Sequence, residues 1–249
     1  MYPYIHITLP SYTVMAFLGG FVSLLFLYLG IDKYKLDFSV FLKLFLASAL
    51  GGFAGSKLLF AVTQIPWILG HFSFKNLILL ILQSGFVFYG GLFGVIFAVL
   101  ICTKKNPKLR KKVFTLAVPA MPLFHAFGRI GCFLSGCCYG KELSKPYPVL
   151  NGIVFSRIPV SLMESAFEFI LFGTLVWVRK RSAEADLLRI YLTAYAIFRF
   201  ANEFLRGDEI RGIFFGLSTA QWISMAIIIT YAVRAVLKRR KRNDIPDSD

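Results

Sequence analysis

Acidic residues are scarce in this sequence. Only 13 Asp and Glu stand against 28 Lys and Arg, and charged residues make up 16% of the 249 residues while hydrophobic residues make up 57%. A soluble fold of this length needs a more polar surface. The net charge of +15 suits a nucleic-acid partner only when the basic residues cover a soluble domain, and the loops are too short to form one. The composition therefore excludes a soluble enzyme and a nucleic-acid-binding module, and it predicts an integral membrane protein.

A cleavable leader and a disulfide framework are also missing. Residues 1–10 contain no Lys or Arg, which a secretory signal peptide carries before its apolar core, so we expect no cleaved signal. Of the four cysteines, Cys132, Cys137 and Cys138 are clustered and Cys102 is separate, too few to hold the whole chain by disulfides. The sequence shows no internal repeat of the kind that marks secondary transporters, so a transporter is the least favoured function.

Long apolar segments take up most of the chain. Crossing a bilayer requires roughly 20 apolar residues. Seven segments meet or approach that length, at 12–30, 40–62, 77–101, 113–134, 159–178, 188–205 and 213–236. The predicted fold class is therefore an all-α integral membrane protein of seven transmembrane helices, in which residues 1–237 form the transmembrane domain and residues 238–249 form a basic tail.

Basic residues in the loops predict the orientation. They occur at Lys33 and Lys35, in the runs 104–112 and 179–181, and in the tail at 238–242. Because short cytoplasmic loops accumulate Lys and Arg, we place all four sets in the cytoplasm. An odd number of spans then puts the N-terminus on the extracytoplasmic side and the C-terminus in the cytoplasm.

Glycine clusters punctuate three of the segments, at 51–55, 90–94 and 128–131. Small residues at such spacings let neighbouring helices approach closely, which is our interpretation of the first cluster. The second and third clusters lie beside unusual polar residues. For these, broken helices that line a cavity are an alternative to close packing.

Ionisable residues inside the apolar segments are the strongest functional signal, because a charge within the bilayer is costly and requires a partner. In the fourth segment His125 lies four residues before Arg129 on one helix face, and Cys132 follows a turn later. In the sixth segment Arg199 and Glu203 have the spacing of an ion pair within one helix. A guanidinium group binds phosphate well. We therefore predict a site for a phospholipid headgroup, with structural ion pairs as the alternative.

At these residues the chain resembles the bacterial prolipoprotein diacylglyceryl transferases, and the resemblance spans almost the whole length. The family signature is followed in outline by residues 128–140, the His-Gly-Gly-Leu motif by residues 89–92, and the Pro-x-x-x-x-Glu element by residues 159–164. The chain departs from the family at three positions. Tyr89 replaces the motif His, Cys132 replaces the signature Asn, and Cys137 replaces the signature Glu.

The resemblance implies transfer of the diacylglyceryl group of phosphatidylglycerol to the lipobox cysteine thiol in the signal peptide of a prolipoprotein. Glycerol phosphate is released, and the location is the bacterial cell membrane. It implies no metal and no diffusible cofactor, and the partners are phosphatidylglycerol, the prolipoprotein and other membrane lipids.

Site residues follow from the resemblance and from the buried charges. The predicted catalytic residues are Arg129, Arg199, Tyr89, His125 and Glu203, and the predicted substrate-binding residues are Tyr12, Arg129, Gly140, Glu164, Arg206, Gly90 and Gly91. In this hypothesis the two catalytic arginines bind the phosphate and offset charge on the departing ester. Glu203 orients Arg199, and Tyr12 contacts the headgroup. His125 is either a base in place of the missing family His or a hydrogen-bonded interior residue.

Several alternatives stay open from the sequence alone. The clustered cysteines are compatible with a disulfide from Cys132 to Cys137 or Cys138, with a zinc site that also uses His125, or with a covalent thiol intermediate. For the whole protein, the alternatives are a divergent family member with another acceptor and a non-catalytic lipid-binding membrane protein.

Overall fold

The structure is a computed structural model that describes residues 4–6, 9–64, 73, 87–150, 153–182, 184–207 and 213–243. Helices dominate this part of the chain. They are α1 (Ser11–Ile31), α2 (Phe38–Thr63), α3 (Phe88–Cys102), α4 (Pro107–Ala117), α5 (Ala120–Leu134), α6 (Val160–Arg181), α7 (Leu187–Asn202), a 3₁₀ turn (Glu203–Leu205) and α8 (Thr219–Asn243). Each predicted segment thus contains helix in its described residues, and residues 77–86 of the third lie outside them.

Five helical stretches in the described residues are long and apolar enough to cross a membrane. They are Ser11–Ile31, Phe38–Thr63, Pro107–Leu134, Val160–Arg181 and Thr219–Lys238. Helix α3 is apolar but has 15 described residues, and α7 has 16. The helices agree with the predicted all-α membrane protein. The count of seven spans and the orientation of the termini stay predictions.

Many large apolar side chains face outward from these helices. Phe17 is 77% exposed, Leu50 is 72% exposed and Ile170 is 69% exposed. In water such side chains would be costly to expose in these numbers, whereas in a bilayer they contact acyl chains. The surface therefore supports a multi-pass membrane protein.

Two predicted features differ from the structure outside the helices. The stretch between the fourth and fifth predicted segments, where no strand is predicted, contains an antiparallel hairpin of β3 (Glu142–Leu150) and β4 (Ile153–Arg157). The helix of the seventh predicted segment, α8, begins at Thr219 rather than at 213, because β5 (Ile213–Phe214) and β6 (Leu217–Ser218) form a short hairpin before it. A third hairpin, of β1 (Tyr4–His6) and β2 (Leu9–Pro10), precedes α1.

The chain divides into two compact units, a smaller unit of residues 28–116 and a larger unit of residues 1–27 and 117–249. In the smaller unit α2 packs on α3 through facing glycines. A Cβ atom on Gly55 or Gly90 would collide with the backbone carbonyl of the other glycine. Helix α3 runs unbroken through this cluster. Close packing is therefore the interpretation that the glycine contacts support, and the helix has no break within residues 90–94.

The larger unit is built on the successive packing of α5 on α6, α6 on α7, and α7 on α8. Helix α5 is separated from α4 at Val118 and Pro119, where proline lacks the N–H that would continue the helical hydrogen bonds. At the other end of α5, a Cβ on Gly131 would lie 3.1 Å from the Cα of Tyr12. Glycine at position 131 thus allows α1 to lie directly against α5.

Candidate active site

Glu164 on α6 is the centre of a buried polar cluster in the larger unit. Its Oε2 accepts hydrogen bonds from Arg129 Nη2 at 2.7 Å and from Arg199 Nη1 at 3.2 Å, and its Oε1 accepts one from the Tyr195 hydroxyl at 3.0 Å. Glu164 is 1% exposed, and both arginines are buried. A single carboxylate therefore joins α5, α6 and α7 and brings the two predicted phosphate-binding arginines to one point.

Helical periodicity explains why these side chains meet. On α6 the buried positions 160, 161, 164, 165, 168, 171 and 175 follow the spacing of one helix face, and Glu164 lies on it. On α7 the buried positions 191, 195 and 199 recur every four residues. On α5 the buried positions 122, 125, 126, 129 and 132 are related by steps of three or four residues. Each helix thus presents its polar groups inward, where they pair with the groups of the other two.

Glu203 extends the cluster to the end of α7. Its Oε2 lies 2.7 Å from Arg199 Nη2, four residues earlier, and 3.9 Å from Arg206 Nε. The ion pair between Arg199 and Glu203 confirms the contact expected from their spacing. Both Glu203 and Arg206 are buried. Arg199 is consequently held from two sides, by Glu164 and by Glu203, which fixes the orientation of its guanidinium.

His125 is held by two carboxylates. Its Nδ1 lies 2.8 Å from Glu168 Oε1, its Nε2 lies 3.9 Å from Glu164 Oε1, and its ring meets Tyr195 edge-to-face at 5.4 Å. Glu168 was missed in the sequence reasoning. Its signal was available, because it follows Glu164 by four residues within an apolar segment and therefore shares the inward face of α6. The partnership with Glu168 restrains the imidazole ring beside the arginine cluster.

The arginine cluster carries excess positive charge. Arg129, Arg199 and Arg206 contribute three positive charges, and the carboxylates that they contact, Glu164 and Glu203, contribute two negative ones. One guanidinium is thus in excess among these directly contacting groups, to which Glu168 and His125 lie next. In addition, the buried Nε of Arg129 has no hydrogen-bond partner among the described residues. The cluster therefore has both the charge and a spare donor for an anion.

The three clustered cysteines lie directly beside Arg129. The sulfur atoms of Cys132, Cys137 and Cys138 all lie within 4.8 Å of one another, and all are free thiols. Arg129 Nη1 lies 3.9 Å from Cys132 Sγ. Hydrogen bonds from the thiols of Cys132 and Cys137, together with the charge of Arg129, lower the pKa of the Cys138 thiol. His125 does not belong to this group of potential metal ligands.

Gly140 joins the hairpin to the arginine cluster. It forms an isolated β-bridge with Arg206, and its N–H donates to the Ile158 carbonyl at 3.2 Å. A Cβ on Gly140 would collide with that same carbonyl oxygen, and its own carbonyl lies 2.6 Å from where a Cβ on Gly207 would be. Only a residue without a side chain fits such a close approach of backbones. Gly140 thus positions Arg206, and its predicted contact with substrate stays a prediction.

The remaining predicted site residues lie on α1 and in the smaller unit. Tyr12 is 47% exposed and lies on the α1 face that packs on α5, next to Gly131 and within electrostatic reach of Arg129 and of the three clustered cysteines. Tyr89 is buried in the smaller unit and stacks on Phe93 with ring centroids 6.0 Å apart. Gly90 and Gly91 belong to the same unit. The roles of these residues in catalysis or substrate binding stay predictions.

Known proteins resemble this chain over most of its length. The family model for prolipoprotein diacylglyceryl transferase matches residues 3–237. A phosphatidylglycerol–prolipoprotein diacylglyceryl transferase of Clostridium tetani is 39% identical over 188 residues, which cover 72% of this chain and 73% of its own. A second transferase of that name from Clostridium perfringens is 35% identical over 88% of this chain and 87% of its own, and one from Polynucleobacter asymbioticus is 32% identical over 81% and 77%. The chain belongs to the prolipoprotein diacylglyceryl transferase family.

Proposed function

We propose that this protein transfers the diacylglyceryl group of phosphatidylglycerol to the lipobox cysteine thiol of a prolipoprotein and releases glycerol phosphate. The observation that carries the proposal is the convergence of the Arg129 and Arg199 guanidiniums on one oxygen of Glu164, inside an apolar helical bundle. Placing two guanidiniums in such surroundings is costly. A site that must hold a lipid phosphate accounts for that cost, and the substrates named for the relatives agree with it.

Bond making and breaking occur at one carbon of the lipid. The acceptor sulfur, as a thiolate, attacks the glyceryl carbon that carries the phosphate oxygen. The carbon–oxygen bond breaks, and glycerol phosphate leaves with the electron pair as an oxyanion. Arg129 and Arg199 stabilise the negative charge that grows on the departing phosphate, which is where positioned donors contribute most to catalysis.

The carboxylates keep the arginines ready for this step. Glu164 and Glu203 hold Arg199 from two sides, so its guanidinium needs no reorganisation when charge develops on the phosphate. The His125 ring nitrogens contact two carboxylates, Glu168 at 2.8 Å and Glu164 at 3.9 Å. In this proposal Glu168, the nearer of the two, orients the imidazole beside Glu164.

The finer topology belongs to the same proposal. Seven spans, an extracytoplasmic N-terminus and a cytoplasmic C-terminus put the end of α5, with Cys132, on the extracytoplasmic side. A prolipoprotein whose signal peptide is inserted in the bacterial cell membrane presents its lipobox cysteine at that side. The acceptor thiol and the phosphate of an outer-leaflet lipid then meet at one depth of the bilayer.

A turnover assay tests the function. Protein reconstituted with phosphatidylglycerol and a lipobox peptide is expected to yield free glycerol phosphate and a diacylglyceryl-modified peptide, both measured by mass spectrometry. Arg129→Gln and Arg199→Gln should each lower the rate by about 100-fold or more, since each removes one donor to the departing phosphate. Arg189→Gln is the matched control, because Arg189 is exposed on the same helix as Arg199.

Three outcomes of this assay have different meanings. Full turnover in both arginine variants would refute the proposed phosphate site. Release of glycerol phosphate without modification of the peptide would identify a family member that uses another acceptor. Binding of phosphatidylglycerol without any release, with several peptides offered, would indicate a non-catalytic lipid-binding protein.

A further inference from the structure

The proposed reaction needs an acceptor thiolate, and the steps above assign no group to its formation. The three thiols beside Arg129 have no role in those steps. They lie where α5 ends and the chain turns toward β3, and together they offer three sulfur ligands within 4.8 Å of one another.

This separation matches the size of a metal site. Zn–S bonds are about 2.3 Å long, so two sulfurs bound to one tetrahedral ion lie about 3.8 Å apart. Sulfurs within 4.8 Å therefore reach a common ion after shifts of less than about 1 Å. Thiolates select soft ions such as Zn²⁺ or Cu⁺ over hard ions such as Mg²⁺.

The backbone holds the cysteines in this arrangement. The Cys137 N–H donates to the Cys132 carbonyl at 3.1 Å, and the Ser161 hydroxyl donates to the Cys138 carbonyl at 2.9 Å. Cys138 itself has a φ of 53°, a left-handed conformation that is uncommon for residues other than glycine. A strained residue held by its surroundings is typical of a functional site rather than of an ordinary loop.

Charge and access favour an open metal site at this position. One Zn²⁺ ion with three thiolates carries one net negative charge, and the nearest described cation is the Arg129 guanidinium, 3.9 Å from Cys132 Sγ and shared with Glu164. Cys132 is buried, whereas Cys137 is exposed. The ion would therefore be bound on its buried side by Cys132 and be accessible to substrate on its exposed side, near Cys137. Catalytic zinc sites have this form, with three protein ligands and a fourth position for water or substrate.

We infer that Cys132, Cys137 and Cys138 bind one thiophilic metal ion of the Zn²⁺ type, and that its fourth position takes the acceptor thiol. This inference rests on the proposed function for its second half. Coordination to the ion removes the proton of a thiol, which passes to water. The resulting thiolate is formed beside Arg129 and thus beside the phosphate site. In this chain Tyr89 stands at the position of the family His, and a tyrosine is a poor base. The metal would take the place of that base.

Metal binding is tested without reference to activity. The full chain is purified in detergent under reducing conditions, and its zinc content is measured by mass spectrometry. We expect one equivalent in the wild type and in the Cys102→Ser control, and less than a tenth of that in the single variants C132S, C137S and C138S. Cobalt substitution should give a thiolate-to-cobalt charge-transfer absorption in the first two proteins and none in the other three.

The fourth ligand is tested with two peptides on the cobalt-loaded protein. A lipobox peptide with its cysteine should change the cobalt spectrum, and the same peptide with serine at that position should not. Identical spectra with both peptides would overturn the assignment of the acceptor as a ligand. Recovery of two of the three cysteines as a disulfide in protein purified without reductant, together with no zinc bound after reduction, would overturn the metal site altogether.

Turnover then separates this inference from the proposed function. Removal of zinc from the wild type with a chelator should lower the transfer rate by about 100-fold or more, because the acceptor thiolate is then no longer formed by the ion. Addition of zinc should restore the transfer rate. Full transfer by the metal-free protein would overturn the catalytic use of the ion while leaving the transferase function intact. No transfer by the zinc-loaded protein, with a normal peptide response of the cobalt spectrum, would instead count against the proposed function alone.

Discussion

Replacement of Glu164 by glutamine tests the central arrangement of the site most directly. Glutamine keeps the size and shape of the side chain but removes the negative charge that Arg129 and Arg199 share at 2.7 and 3.2 Å. Of the two carboxylates that contact these arginines and Arg206, only Glu203 then remains. The three arginines then share one carboxylate instead of two.

The expected loss of stability is large because the site is buried. Removing one partner of a buried ion pair costs about 3–5 kcal/mol, since the remaining charge is left without compensation. Glu164 is 1% exposed, so solvent does little to reduce this cost. We therefore expect Glu164→Gln to lower the free energy of unfolding by about 3 kcal/mol or more.

The measurement is unfolding of the detergent-solubilised protein by sodium dodecyl sulfate, followed by helical circular dichroism. Glu142→Gln is the matched control, because Glu142 also pairs with an arginine, Arg157, but its side chain is 73% exposed and that of Arg157 is 38% exposed. An exposed pair contributes between about 0 and 1 kcal/mol, so this control should unfold nearly as the wild type does. If the two variants unfold at the same denaturant concentration, the carboxylate is not the electrostatic centre of the bundle.

Two further predictions concern packing, and both are measured in the same unfolding assay. Gly140→Ala should destabilise the protein by about 1–3 kcal/mol, because the added methyl group collides with the Ile158 carbonyl; stability equal to the wild type would contradict the close approach. Gly94→Leu should have an effect of at least that size, because Gly94 faces the backbone of Gly51. Gly173→Ala is the control for both, since a Cβ at Gly173 meets nothing within 4 Å, and it should leave stability unchanged or raise it by about 0.5–1 kcal/mol.

Interactions within one helix were predictable from the sequence, and those between helices were not. The spacing of Arg199 and Glu203 predicted their ion pair, which the structure has at 2.7 Å. The pairing of Arg129 with Glu164 joins residues on two helices separated by the whole β3–β4 hairpin. Helix periodicity shows which way each side chain faces, but it does not show which helices become neighbours.

The hairpin of β3 and β4 was missed for a local reason. Two prolines, Pro146 and Pro148, interrupt the first strand, and proline removes a hydrogen-bond donor, so such a stretch is usually assigned to a loop. The break between α4 and α5 was also missed, and it too lies at a proline, Pro119. Here the apolar composition of the segment predicted one continuous helix and so concealed the break. Hydropathy indicates whether a segment prefers lipid or water, but it does not show where the helix in that segment is interrupted.

The shared position of Glu164 has a consequence for product release. Glu164 is an anion built into the protein that competes with any phosphate for Arg129 and Arg199. A phosphate must share the two guanidiniums with this carboxylate, so a phosphodiester in the ground state is held less tightly than two free arginines would hold it. The same sharing weakens the hold on glycerol phosphate once it has formed and helps it to leave.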